Sequence, residues 1–207
     1  LFETYLDRKR GEVWLALSPT AEGHLGEALY VEGLLSGLGS NPVGLDRGQI
    51  GETRLVRFRR LGGKVLLEQP NLRFRAISPS EDERRAVRES FASSILWSGE
   101  ILTEEPDGRV LVNFSSFLLR DAHGVTDAIE RAGQGSFTLD EGRSAIDLGA
   151  SPSFPDNLEF ETVLTFQGSQ PGPLVREATP TARAITLIAH QSLLRLPDDG
   201  YQPRRFD

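Results

Sequence analysis

Residues 158–167 place Phe160, Thr162, Leu164 and Phe166 at every second position, a period of two that belongs to an extended strand. Short runs of this kind recur along the chain, and glycine or proline cuts nearly all of them. The runs at 2–7 and 12–17 flank Arg8-Lys9-Arg10-Gly11, a polar connection ending in glycine, as hairpins use. A third run covers 28–35. Runs at 52–61, 64–69 and 72–77 follow, separated by Gly62-Gly63 and by Pro70-Asn71. Shorter runs at 98–103 and 109–112 bracket Glu105-Pro106-Asp107-Gly108, and those at 136–139 and 144–148 bracket Asp140-Glu141-Gly142-Arg143 as a further hairpin. After Gly168-Ser-Gln-Pro-Gly-Pro173, residues 184–196 supply one or two final strands.

The period changes in a few places only. Ser80 precedes Glu81-Asp82-Glu83, so a capping hydroxyl and acidic first-turn residues open a helix whose weak apolar face carries Ala86, Val87 and Phe91. Residues 115–120 and 125–132 predict short helices, with Gly133 placed to end the second. Ten or more short strands with two or three helices predict a mainly β (α+β) fold, an antiparallel sheet or sandwich with small helical insertions. The 207 residues fit a single domain. The hydrophobic share is 38%, and glycine brings it close to the globular norm of roughly 45–50%, which excludes a disordered chain.

Charge and residue types narrow the function. A net charge of −7 opposes general nucleic-acid binding, which needs a positive field to displace counterions. No apolar run approaches the roughly 18 residues of a membrane-spanning helix. With no cysteine in the chain, disulfides and thiolate-ligated metals are excluded. His24, His123 and His190 are far apart in sequence and show no His-x-x-x-His spacing, so no local zinc motif exists. Neither a Gly-x-Ser-x-Gly elbow nor a Gly-x-x-x-x-Gly-Lys phosphate loop is present.

Two features stand out as candidate interaction sites. Residues 37–51 hold five glycines and carry Asn41, Asp46, Arg47 and Gln49, all able to make directional hydrogen bonds. Connections of this length without regular structure are uncommon and tend to be functional or mobile. The alternative is a loop folded back on its own glycines and capped by Asp46 or Asn41. The second feature is an arginine stripe. Arg57 and Arg59 share one strand face and Arg73 and Arg75 another, so paired strands would gather four guanidinium groups into a docking patch for an acidic partner. A solvated face laced with Glu and Asp is the competing account.

The segments Tyr5-Leu-Asp-Arg-Lys-Arg-Gly11, Leu29-Tyr-Val-Glu-Gly33, Gly37-Leu-Gly-Ser-Asn41, Gly44-Leu-Asp-Arg-Gly-Gln49, Val65-Leu-Leu-Glu-Gln-Pro-Asn71, Phe117-Leu-Leu-Arg-Asp-Ala-His-Gly124 and Pro203-Arg-Arg-Phe-Asp207 carry a family resemblance. Together they resemble the amino-terminal domain of unknown function of large bacterial zinc-dependent metalloproteases. The resemblance implies that a metzincin-like domain with a His-Glu-x-x-His-x-x-Gly-x-x-His helix follows downstream. This sequence has no His-Glu-x-x-His, so the family's zinc ligands have no positions here, and no cofactor is expected in this part.

The chain, which starts Leu1-Phe2-Glu3, then reads as an excised or processed piece of a secreted or envelope enzyme. The implied role is that of a non-catalytic accessory domain whose partner is the remainder of the metalloprotease. The alternative is an independent peptide- or glycan-binding module, with its site at the Gly-rich loop beside aromatics such as Trp14, Tyr30 or Trp97. The oligomeric state is left open by both readings.

Overall fold

The computed structural model describes residues 1–74, 76–197 and 200. The alternating runs form strands β1 (Glu3–Asp7), β2 (Glu12–Leu17), β3 (Glu27–Leu34), β4 (Arg54–Leu61) and β5 (Lys64–Gln69). Further along come β6 (Ser94–Glu104), β7 (Val110–Asn113), β8 (Ser136–Leu139), β9 (Ala145–Asp147), β10 (Asn157–Ser169) and β11 (Ala184–Leu194). Four short helices interrupt them: α1 (Glu81–Ser90), α2 (Ser115–Leu118), α3 (Val125–Arg131) and α4 (Pro173–Ala178). The fold is mainly β, as the residue pattern predicts.

The strands join in one antiparallel sheet of order β1-β2-β7-β6-β5-β4-β3-β11-β10-β8, and β9 lies next to β8 on the same side of β10. Sequential hairpins build most of it, which fits the short Gly-containing turns. Val13 and Leu15 of β2, near one end of the sheet, share a core with Ile146 of β9 and Leu158 of β10 at the other. The sheet is therefore curled around that core. α2 sits inside the curl, with Phe114 and Phe117 stacked 4.6 Å apart and Trp97 edge-on to Phe114 at 5.2 Å.

A second core lies at the other end of β10 and β11. Phe166, Ile185 and Leu187 meet Leu34, Leu38, Val43 and Leu45 there, together with Ile129 of α3 and Val175 of α4. Leu38, Val43 and Leu45 come from the Gly-rich connection, so that loop is anchored by its apolar residues. Both cores draw on the inward positions of β10, Phe160 in the first and Leu164 in the second.

Three expectations need correction. Residues 72–74 and 76–77 form bends and irregular chain rather than a strand. Pro70 cannot donate to a ladder, and Phe74 and Ile77 find no core to face, being 44% and 102% exposed. Next, β8 and β9 do not pair as a hairpin. Residues Glu141–Arg143 form a 3-10 turn pinned to β10, because Thr165 N–H donates to Ser144 Oγ and its carbonyl accepts from Asp140 N–H. Both strands then lie along β10 in tandem. Finally, α4 starts at Pro173, in a segment that reads as a breaker. Proline is compatible with a first helical turn because its missing N–H would have no intrahelical partner there.

Candidate functional site

β3 organises the most elaborate polar arrangement among the described residues. Its alternation sends Ala28, Tyr30, Glu32 and Leu34 inward and leaves Val31 and Gly33 on the outer face. On the inner face a polar seam separates the two apolar cores. Tyr30 Oη donates to Gln191 Oε1 at 2.9 Å and accepts from Arg120 Nη2 at 2.9 Å. Gln191 Nε2 donates to the Leu118 carbonyl at 2.8 Å. Glu32 Oε2 lies 2.6 Å from His123 Nδ1, and Arg54 Nη1 is 4.0 Å from its other oxygen.

Burial sets the chemistry of these groups. Loss of water pushes the Tyr30 hydroxyl well above the ordinary phenol range, so it remains a neutral donor. Burial lowers Arg120 from its usual value, although its guanidinium still stacks 4.2 Å from the Phe117 ring centroid. Asp121 finishes the linkage from α2 to α3. Its carboxylate accepts from Val125 N–H, Thr126 N–H and Thr126 Oγ1, so it satisfies the first amides of α3, whose N-cap residue is Gly124. The 117–124 segment thus ties β3, β11 and α3 together: Arg120 and His123 reach β3, the Leu118 carbonyl accepts from Gln191 of β11, and Asp121 holds the start of α3.

The outer face of β3 carries a groove of roughly 320 Å³ over Gly33, lined by Val31, Leu35, Gln49, Ile50, His190 and Ser192. The end of the Gly-rich connection forms one wall. Leu34 N–H donates to Gln49 O at 2.9 Å and Gly51 N–H to Glu32 O at 2.8 Å, so residues 48–51 continue the sheet where β4 has not yet begun. The close approach requires Gly33, because a Cβ there would lie 2.8 Å from Gln49 O. Across the groove, His190 Nε2 is 2.8 Å from Glu159 Oε2, and Ser192 Oγ donates to the same oxygen. Ser192 therefore spends its proton on Glu159 and not on His190, so the two are not set as nucleophile and base. No group of three or more His, Asp or Glu among the described residues is arranged to hold a metal ion.

The sequence candidates fall in different places. Asn41 closes its own loop, Nδ2 donating to Leu38 O and Oδ1 accepting from Val43 N–H, while Asp46 and Arg47 are exposed. Of that set only Gln49 lines the groove. Arg57 binds Glu27 at 2.9 Å and Arg59 binds Glu68 at 2.9 Å, so these two guanidinium groups are matched by carboxylates on neighbouring strands. Arg73 sits in the irregular segment, which removes the strand face on which the four-arginine stripe depended, and Arg75 lies outside the described residues. Tyr30 and Trp97 face the core and Trp97 Nε1 donates to Ser116 Oγ, so neither reaches the groove. Sequence alone assigns no site role to Glu32, Arg120 or Gln191, and reads His123 only as one of three scattered histidines. Their signal was a polar residue at an inward position of an apolar alternation, or membership of the 29–33 and 117–124 segments.

Comparison with known proteins gives a family match. The family described as "Domain of unknown function (DUF5117)" covers residues 48–207, which include Arg54, Arg120, His123 and Gln191 of the seam. Neither the curated proteins nor the solved structures contain a match to this chain. With more than half of its length matched, the chain belongs to the DUF5117 family of domains of unknown function.

Proposed function

We propose that this domain is a non-catalytic accessory module that docks onto a separate folded unit, the catalytic domain of a bacterial zinc-dependent metallopeptidase of the secreted or envelope type. The observation that carries the docking reading is the segment between β5 and β6. Phe74 stacks on Phe91 with ring centroids 3.8 Å apart and planes within 9°, yet both rings remain substantially exposed, and Ile77 is fully exposed. α1, in the same segment, has no buried residue. A ten-residue helix without tertiary packing is marginal in water, and here its internal support is the Ser80 cap and ion pairs such as those of Glu81 with Arg84 and Arg88. Apolar side chains beside an unpacked helix are what a partner surface would cover. The nature of the partner follows from the sequence resemblance. The zinc would be held by the partner domain, and no residue of this chain is assigned to it.

The test is to mix the domain with a separately produced metallopeptidase domain of the same polypeptide and measure association and peptide hydrolysis. Association is expected, with an accompanying change in hydrolysis. Phe74→Ser combined with Ile77→Ser should weaken association roughly tenfold or more, as loss of central apolar contacts does. No association together with unchanged hydrolysis would remove the proposal.

The groove beside the Gly-rich loop favours a second reading, a peptide- or glycan-binding module with Gln49 and Ile50 in contact with ligand. Ile50→Asp separates the two. It should abolish ligand capture in this second reading and leave association through the 70–93 segment intact in the first.

A further inference from the structure

The curled sheet does not close. β1 is the edge at one end of the strand order, and β9 with β8 forms the edge at the other. The two ends do not pair, and the β1–β2 turn and β9 border a cleft of roughly 410 Å³ lined by Arg8, Gly11, Ile146, Asp147, Leu148 and Val163.

The hydrogen-bonding state of each edge follows from the register. Val13 N–H donates to Ser115 Oγ and Val13 O accepts from Phe114 N–H, so the main chain of Val13 points away from β1. Leu6 opposes Val13 and Thr4 opposes Leu15. In an antiparallel pair, directly opposed residues alternate between bonding one another and both pointing outward. Thr4 and Leu6 therefore turn their N–H and C=O groups away from β2, toward the open edge. On β10, Glu161 N–H donates to Ser151 Oγ and Thr165 N–H to Ser144 Oγ, so the odd residues bond toward β9. Ile146 opposes Thr162, an even residue, and its main-chain groups point outward by the same alternation.

Charge marks one end of this opening. Arg8, Lys9 and Arg10 form the turn beside the cleft and all three are exposed. Arg10 lies 3.5 Å from Glu12, whereas Arg8 and Lys9 have no carboxylate partner among the described residues. An unpaired strand edge is a template on which another extended chain can pair, and unpaired cations favour an acidic partner.

We propose that the open seam between β1 and β9 accepts one extended polypeptide segment, which adds a strand at Thr4 and Leu6 and lays an acidic residue against Arg8 and Lys9. This is β-strand addition, in which main-chain bonds supply affinity and the charged end sets direction. The proposal uses none of the residues of the 70–93 segment and does not depend on the docking reading.

The probe is a fluorescein-labelled octapeptide of alternating threonine and valine with two glutamates at one end, made in both sequence orders and followed by anisotropy. One order should bind the folded chain, and its lysine-for-glutamate version should bind roughly tenfold more weakly. Thr4→Pro removes the outward N–H of an edge strand and should weaken binding at least fivefold, whereas Thr4→Val keeps the N–H and should bind as wild type. Arg8→Glu should reverse the preference between the glutamate and lysine peptides. If Thr4→Pro lowers the thermal transition, the comparison moves to the wild-type chain with a peptide N-methylated at alternate residues, which should fail to bind. The proposal is overturned if neither order of the glutamate peptide binds at about 1 mM, a level that still detects about −4 kcal/mol. Equal binding by Thr4→Pro and Thr4→Val when both are folded, or by the N-methylated peptide, also overturns it. So does sedimentation as a dimer that Thr4→Pro dissociates, since the edge would then pair copies of this chain.

Discussion

Gly51→Ala probes whether the buried Glu32 carboxylate ties the end of the Gly-rich loop to β3. A Cβ at this position would lie 1.7 Å from Glu32 Oε1, 2.4 Å from Cδ and 3.0 Å from Oε2, and these are its three nearest atoms. Gly51 has no positive φ, so alanine adds no backbone strain. The whole penalty must therefore come from moving Glu32. Rotating that side chain separates Oε2 from His123 Nδ1, now 2.6 Å away. A hydrogen bond to a charged group contributes about 1.5–3 kcal/mol. Reduced freedom of the unfolded chain returns about 0.4–1 kcal/mol when glycine becomes alanine. The net loss is about 1–2 kcal/mol, which for a domain of this size lowers Tm by roughly 2–8 °C.

The decisive assay is a double-mutant cycle by urea unfolding, pairing Gly51→Ala with Glu32→Ala. Without the Glu32 side chain the added methyl meets none of its three nearest atoms. Gly51→Ala should then be neutral or stabilising by up to about 1 kcal/mol. The coupling between the two sites should be about 2 kcal/mol. A coupling below about 0.5 kcal/mol, the usual error of additivity, would refute the reasoning and show that the loop is fixed without Glu32.

Three other perturbations follow from the same geometry. Tyr30 stays neutral in the folded state above the pH at which an unfolded tyrosine ionises, so the unfolded chain loses its proton first and stability falls as pH rises beyond about 10. Tyr30→Phe should remove that alkaline slope while costing about 1–3 kcal/mol near neutrality, because Gln191 loses its donor; an unchanged slope in urea unfolding at pH 9–11 would contradict the assignment. Thr162 Oγ1 is fully buried without a partner among the described residues, so Thr162→Val should raise Tm by about 2–4 °C for a gain of about 1 kcal/mol, and a lowered Tm would show that the hydroxyl is satisfied. Hydrogen bonds from Arg88 and Arg84 hold the Glu81 carboxyl at about 2, so its support for α1 is present above the ordinary carboxylate range near pH 4.5 and is lost as pH falls toward 2. Amide exchange in α1 should accelerate across that interval, and Glu81→Gln should make that acceleration smaller once intrinsic exchange is divided out, the remainder coming from Asp82, Glu83 and Glu89.

Sequence periodicity located the strands because burial on one face of a sheet enforces alternation. Phe160, Leu164 and Phe166 show it on β10, and Val13, Leu15 and Leu17 show it on β2. It failed at 72–77, where apolar residues are present but face solvent, and pattern alone cannot report what lies opposite. It also failed between β8 and β9, since local turn residues say nothing about a third strand competing for the same main-chain bonds. The two arginines on β4 were placed on one face correctly. Their partners Glu27 and Glu68 could not be identified without the register of the neighbouring strands.

The polar seam was hidden for a different reason. Tyr30, Glu32, Thr162 and Gln191 occupy inward positions on three strands, and alternation predicts apolar side chains there. A single polar residue in such a run is weak information. Four of them acquire meaning only when β3, β11 and β10 lie side by side, an order that brings residues 161 positions apart into a hydrogen bond. Buried polar groups cost stability when unpaired, so the bonds of Tyr30 to Gln191 and Arg120 and of Glu32 to His123 favour one arrangement of α2, α3 and the loop end over others, although Thr162 Oγ1 has no partner among the described residues. That arrangement holds residues 48–51 against Glu32 and leaves Gly33 as the floor of the outer groove. Loosening the seam at Glu32 should therefore disturb the groove while leaving the 70–93 segment and the β1 edge intact. A binding activity lost in Glu32→Ala but retained in Thr4→Pro and Phe74→Ser would be assigned to the groove, and each of the other two patterns would point to its own surface.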